Sequence, residues 1–430
     1  RGHLCRAPGR GRMHCDTGIQ ASERGSKVAV LDTIHGGAII ARRMVESGLQ
    51  AEAFEVYHHT PNLAGFDLVV APVHLTPDNP VLALAKTAKK KIITHHQAVG
   101  ELLSRREDPA MEVFEVTGTH SKTSTALLLA LMLSWQKKVL SHTTRGLEIW
   151  QDGKARLLEN GLSITPGNVI RAREEAQAHG VEALICEISL GGTGLADYGI
   201  VTSLSGDYSI ANATKWASTA KLQMLSLAKS GAKILANSDA RLSPDVSFAR
   251  GGRVYARPDS LIFAKEEVHL DLGQDLDFMG YETAIAGAAA AAKLAGVPRS
   301  MVAQALTGFD GFSGRMKIKR RPNQTFFDSS NSGLKVRDVA RALDRASGHD
   351  LFVVVGEDKE TVCEGMNILA LSELLRQRKS EMAKLIIVGE RLVPLAEELG
   401  AATAKNLQQG LEMAQKDSPK RLLSCVKCFR

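Results

Sequence analysis

Short apolar runs alternate along this chain with longer stretches in which apolar residues recur at helical spacing, the pattern of parallel sheets joined by crossover helices. Lys27–Asp32 (KVAVLD) predicts a strand, the turn-like His35-Gly36-Gly37 ends it, a helical pattern covers Ala38–Ser47, and Gly48 stops that helix. The unit returns as Asp67–Pro72 (DLVVAP), a helix over Pro80–Ala88, and Lys91–Thr94 (KIIT) ahead of His95-His96. Residues 27–106 therefore read as a small parallel α/β domain.

Glu112–Thr117 (EVFEVT) predicts the next strand, and Gly118–Thr123 turns from it into the apolar helix Ser124–Leu133. Strands are expected over Ala183–Glu187, Gly199–Leu204 and Lys233–Ala236, with helices over Ala217–Lys229 and Thr283–Ala295. Pro298 and the glycines from Gly308 to Gly314 mark a boundary. Beyond it, strand Gln324–Asp328, helix Lys335–Ala346, strand Leu351–Gly356, helix Ile368–Arg376, strand Lys384–Val388 and helix Leu392–Leu399 alternate as in a doubly wound, Rossmann-like domain. The expected fold class is α/β with three domains, at 27–106, 107–312 and 313–430, after an Arg- and Gly-rich extension at 1–26 that reads as disordered.

Composition narrows the function. With 430 residues and 44% hydrophobic content the chain can bury a large core. Its longest apolar runs, Leu127–Leu133 and Ala284–Ala292, fall short of the ~20 residues that span a bilayer, so no membrane segment is expected. Six cysteines are too sparse for a disulfide framework, which favours a reducing compartment and hence the cytoplasm. The net charge of +7 is spread along the chain with no Arg-rich helix. That suits a polyanionic small molecule and gives no sign of nucleic acid.

The loop Thr117-Gly118-Thr119-His120-Ser121-Lys122-Thr123 lies between a predicted strand and a predicted helix, the context a P-loop requires. Its backbone N–H groups would face phosphates, Lys122 would neutralise the β and γ oxygens, and the Thr123 hydroxyl would reach Mg²⁺. Ser121 stands where glycine usually lets backbone approach the phosphates, so it must hold a conformation open to L-residues. A strand-to-helix turn with a capping Thr or Ser is the competing reading.

Further segments follow in order. They are Cys186-Glu187-Ile188-Ser189, Ala220-Lys221-Leu222 with Ala232–Asp239 (AKILANSD), Gly314-Arg315-Met316, Asp328-Ser329-Ser330-Asn331-Ser332, and Val353–Asp358 (VVVGED). Together with the loop they resemble the Mur ligase family over roughly residues 110–430. The resemblance implies a three-domain ligase with a central P-loop domain, which uses ATP and Mg²⁺ to activate a carboxylate as an acyl phosphate. It assigns catalysis to Lys122, Glu187, Lys221 and Arg315. Nucleotide contacts fall to Gly118, Thr119, His120, Ser121, Lys122, Thr123, Ser124, Arg315, Asp328 and Asn331. Metal ligation falls to Thr123, Glu187, Asp207 and a carbamylated Lys221. Two departures stand out: Ser121 itself, and Tyr208 where many relatives carry a metal-binding His, a gap that Asp207 could fill.

Leu31–Gly37 (LDTIHGG), Ala71–Leu75 (APVHL), Ser189–Gly199 (SLGGTGLADYG) and Ser424–Arg430 (SCVKCFR) resemble the branch of that family, from methanogenic archaea, that completes coenzyme F(430). That resemblance implies a nickel seco-tetrapyrrole acid as substrate, nickel entering only as part of it. A propionate side chain would cyclise with release of ADP and phosphate. His35, His74, His95 and His96 follow predicted strands, whose ends share one edge of a parallel sheet, and are the candidate substrate contacts. Cys425 and Cys428 form a lone C-x₂-C with no second pair for structural zinc. An amide-forming ligase and a non-ligating P-loop switch or metal-insertion chaperone remain as alternatives, and the active unit is a monomer or dimer.

Overall fold

The computed structural model describes residues 25–104, 111–358 and 365–429. Most of the extension at 1–26, the boundary at 106/107 and Cys363 lie outside the described residues. The chain folds around three main sheets, and no helix among the described residues is long and apolar enough to cross a membrane.

The first sheet is parallel, in the order Gln50–Phe54, Lys27–Leu31, Leu68–Ala71, Lys91–Thr94. Alternation along its central strands sorts the side chains: Val28, Val30, Leu68 and Val70 face helices Ala38–Glu46 and His95–Ser104, whereas Ala29, Leu31, Val69 and Ala71 face helix Pro80–Thr87. The first of these cores runs on into Leu140, Val169, Ile170 and Leu184, so this sheet and the next share apolar packing.

The second sheet has eleven strands. Glu112–Thr117 lies near its middle, flanked in parallel by Ala183–Glu187 and Tyr198–Val201. Behind it, helix Lys122–Leu133 packs against the Ala-rich helix Phe278–Leu294, whose small side chains permit close approach. At Gly287 an added Cβ would stand 2.9 Å from the Phe248 ring. Two extensions were not foreseen: Val139–Thr143, parallel to Ala183–Glu187 and followed by the antiparallel Gly146–Gln151 and Lys154–Asn160 on one side, and on the other strands between Val246 and His269 that begin parallel and turn antiparallel from Val254–Ala256 onward. The helix expected over Ala217–Lys229 breaks at Leu222 into Ala217–Lys221 and Gln223–Ser226.

The third sheet runs Lys317–Arg321, Gln324–Asp328, Arg421–Lys427, Leu351–Glu357, Lys384–Val388, Ala402–Ala404, all parallel except the first. Strand Arg421–Lys427 therefore sits inside the sheet. Apolar residues cover both faces, which fits a doubly wound layer. Cys425 belongs to one face and Cys428 to the other, so this C-x₂-C does not gather its sulfurs at one point.

Candidate active site

The turn from Glu112–Thr117 into helix Lys122–Leu133 needs two unusual backbone positions. Gly118 has φ +147°, and a Cβ there would meet Thr202 Oγ1 at 2.1 Å, so only glycine fits. Ser121 sits at φ 63°, ψ 0° in the left-handed region, which costs a non-glycine residue about 1–2 kcal/mol. The serine thus follows the glycine path. Neighbouring strands fix the loop: Thr119 N donates to Ser203 O at 2.9 Å, Thr119 Oγ1 donates to Ser205 O at 2.6 Å, and Thr202 Oγ1 donates to His120 O at 2.5 Å.

Four polar side chains converge beside this loop. Thr123 Oγ1 lies 3.0 and 2.8 Å from the carboxylate oxygens of Glu187, which is buried at the end of its strand. The Arg315 guanidinium donates to Thr123 Oγ1 at 3.0 Å and to Thr144 Oγ1 at 3.1 Å. Thr144 N in turn donates to Glu187 at 3.3 Å. Burial pulls the Lys122 ammonium below the ordinary lysine pKa, opposed by Glu187 and assisted by Arg315.

Arg315 is held by the loop that opens the third sheet. Gly314 N donates to Asp328 Oδ2 at 3.1 Å, and Gly314 O accepts from Asn331 Nδ2 at 2.9 Å. Asp328 and Asn331 thus bracket Gly314, and Asn331 also lines the cleft.

Lys221 is fully buried. Its Nζ donates to Ser189 O at 2.6 Å and lies 3.5 Å from Tyr208 Oη. Burial, with Lys122 and Lys335 nearby, holds its pKa well below that of a free lysine. Asp207 accepts at one oxygen from Tyr208 N and Ser218 N, both at 2.9 Å, and so caps helix Ala217–Lys221.

The cleft over these groups has a volume of about 1270 Å³. The loop residues Thr119 to Ser124, Thr144, Glu187 and Arg315 line one side, and Asn331, Lys335, Arg337 and Arg341 from the third sheet's unit line the other. It can hold a polyphosphate between converging cations and backbone amides. Thr144, Lys335, Arg337 and Arg341 were not singled out by sequence. The only cue for Thr144 was its place just after the unforeseen strand Val139–Thr143.

The four histidines separate into two kinds. His35 and His74 gather at Asp32, whose Oδ2 lies 2.6 Å from His35 Nδ1 and 3.2 Å from His74 Nε2 and accepts from Tyr57 Oη at 2.9 Å. His95 and His96 follow strand Lys91–Thr94 directly by opening helix His95–Ser104, and both are buried. His95 Nε2 meets Leu31 O at 2.8 Å, and neither ring nitrogen of His96 has a hydrogen-bond partner. Desolvation pushes their pKa values down to about 4 and about 3. They sit in the core as neutral imidazoles and present no atom to the cleft.

Comparison with known proteins accords with this geometry. A family model described as coenzyme F430 synthetase CfbE, C-terminal domain, matches residues 318–428. Coenzyme F(430) synthetase of Methanosarcina acetivorans is 34% identical, over 94% of this chain and 99% of that protein. Among solved structures, MurF from Acinetobacter baumannii superposes with TM-score 0.56 at 15% identity, covering 86% of this chain and 88% of that one. A bifunctional folylpolyglutamate synthase/dihydrofolate synthase, solved with Mn, AMPPNP and L-glutamate bound, gives TM-score 0.56 at 15% identity over 77% and 90%. These two likenesses show the multi-domain α/β fold of Mur-type ligases. The chain belongs to the coenzyme F(430) synthetase family, a branch of the Mur-type ATP-dependent ligases.

Proposed function

We propose that the protein transfers the γ-phosphoryl group of ATP to a propionate of a nickel seco-tetrapyrrole acid and then closes a carbocyclic ring from the acyl phosphate. A carboxylate oxygen attacks phosphorus and ADP leaves. A carbon nucleophile of the macrocycle then attacks the activated carbonyl, loses its proton, and expels phosphate. The pigment loses the elements of one water.

The observation that carries this reading is the convergence of Arg315 on the Thr123 hydroxyl with Glu187 behind it, in a cleft that the loop and Lys122 share. Lys122 and Arg315 offset charge on the transferring phosphoryl group. The nucleotide rests on Gly118 to Ser124, and Asp328 and Asn331 act through their grip on Gly314. Hard oxygen donors at Thr123 and Glu187 fit Mg²⁺, which held there would supply positive charge to offset that of the phosphates. The Mn and AMPPNP in the folylpolyglutamate synthase structure support a divalent cation with the nucleotide. Lys221, whose ammonium form burial disfavours, would add CO₂ through its amine, with loss of a proton, to give a carbamate ligand. Asp207 joins the metal set through the oxygen its helix cap leaves over.

We assign residues 27–106 to substrate binding, 107–312 to ATP and 313–430 to closure over the nucleotide, acting in the cytoplasm on a small molecule as a monomer or dimer. Incubation with MgATP and the nickel seco acid should release phosphate together with loss of one water from the pigment by mass. Equal ADP formation without pigment would overturn the reading.

A further inference from the structure

Apart from the cleft, the described residues hold one group of side chains arranged to take a metal ion: Asp32, His35 and His74, at the carboxyl edge of the first sheet. We propose that these three residues bind a free first-row divalent cation, zinc by ligand chemistry, with Tyr57 at the open side. Their ligand atoms, Asp32 Oδ2, His35 Nδ1 and His74 Nε2, all lie within 4.8 Å of one another. Asp32 Oδ2 stands 3.2 Å from His74 Nε2, and Tyr57 Oη stands 3.4 Å from each of the two imidazole nitrogens. Ligands placed about 2.0–2.1 Å from a tetrahedral ion are about 3.3–3.4 Å apart. The spacing is therefore close to that of a coordination shell. The 2.6 Å contact between Asp32 and His35 has to open, as its proton gives way to the ion, and the 2.9 Å contact from Tyr57 Oη to Asp32 has to lengthen.

The backbone is arranged to deliver this carboxylate. Asp32 is a fully buried, non-glycine residue at φ 70°, a conformation that local structure must enforce. Its Oδ1 accepts from Ile34 N at 3.0 Å and His35 N at 3.1 Å, which turns Oδ2 toward the histidines. Two imidazoles and one carboxylate with an open position are a set that zinc accepts. A metal inside a macrocycle has its equatorial positions filled and exposes only axial ones, so three side chains cannot converge on it. The geometry points to an ion from solution.

The segments that would share the ion are also those that touch the central unit. A Cβ on Gly36 would stand 3.2 Å from Thr165 Oγ1, which lines the cleft, and Val73 O accepts from Lys215 Nζ at 3.1 Å. Bound zinc would tie the His35 turn to the His74 loop and fix the docking of both.

The test is calorimetric titration of the chelator-stripped full chain with ZnCl₂, without nucleotide or pigment. One equivalent should bind, and His35→Gln and His74→Gln should each weaken it by about 100-fold or more. X-ray absorption of the zinc-loaded wild type should show only nitrogen and oxygen ligands at about 2.0–2.1 Å, a readout independent of whether the variants fold. Absence of zinc uptake, unchanged affinity in both folded variants, or sulfur in the shell, which would place the ion at the cysteines, overturns the proposal. Because ATP plays no part, failure here leaves the ligase reading intact, and loss of the ligase reading leaves this site standing.

Discussion

Arg315 donates a 3.0 Å hydrogen bond to the hydroxyl of Thr123, a residue 192 positions earlier in the chain. The contact joins the linker before the third sheet to the first turn of the helix that follows the phosphate loop. A cation delivered in this way arrives already oriented, which is what stabilisation of developing charge requires.

Arg315→Ala is therefore expected to lower kcat for pigment-dependent phosphate release by about 100- to 1000-fold, and Lys122→Ala to abolish it. Steady-state kinetics on both variants decides this. Wild-type turnover in either refutes its assignment.

Asp328 and Asn331 both hold Gly314, the residue before Arg315. Asn331→Ala, combined with Arg315→Ala, should cost little more than Arg315→Ala alone, because residues acting as one unit are non-additive. Full additivity in kcat would mean that Asn331 works by another route.

Ser121→Gly should remove left-handed strain while adding glycine's chain entropy, for a net gain of roughly 0.5–1 kcal/mol in stability with turnover retained. Denaturant melts measure this. A destabilised variant would show that the Ser121 side chain holds the loop.

Lys221 is expected to need carbon dioxide. Dialysis against CO₂-free buffer should reduce activity and bicarbonate should restore it, whereas indifference to both would remove the carbamate from the site.

Acid stability follows from the buried imidazoles. His95, His96 and His142 have folded pKa values of about 4, 3 and 4 against an ordinary 6.5. The unfolded chain takes up these protons first, so their contribution is complete above pH 6.5 and is lost as pH falls toward 4 and 3. The loss is roughly 1.4 kcal/mol per unit for each group. Since neither ring nitrogen of His96 has a hydrogen-bond partner among the described residues, His96→Leu should flatten the slope of urea stability between pH 6.5 and 4. An unchanged slope would show that His96 does not titrate in this way.

The hydrophobic pattern was enough for several buried strands that lead into helices, whereas Val139–Thr143, buried throughout but leading into a hairpin, escaped it. Lys384–Val388 appears with the bounds its apolar run predicts, and Glu112–Thr117 likewise. Strands with one wet face were missed: Gln50–Phe54 is largely half-buried or exposed, and Lys154–Asn160 carries charge along an exposed edge. Arg421–Lys427 was passed over because nothing local states that a late segment inserts beside Gln324–Asp328. In the site, the order of motifs brought out Lys122, Glu187 and Arg315, which the structure brings together. Thr144 and Tyr57 carry no motif, and their partners come from distant segments. That His95 and His96 open a helix was not legible, because a helix that starts directly at a strand end leaves no turn residues to read.

The insertion of Arg421–Lys427 between Gln324–Asp328 and Leu351–Glu357 has a consequence for synthesis on the ribosome. Until that heptapeptide clears the exit tunnel, the strand bearing Asp328 has no neighbour on its inner side, and Arg315 lacks its anchor. A nascent chain could close its phosphate loop early, yet the strand bearing Asp328 would lack its inner neighbour until residues 421–427 had emerged and paired.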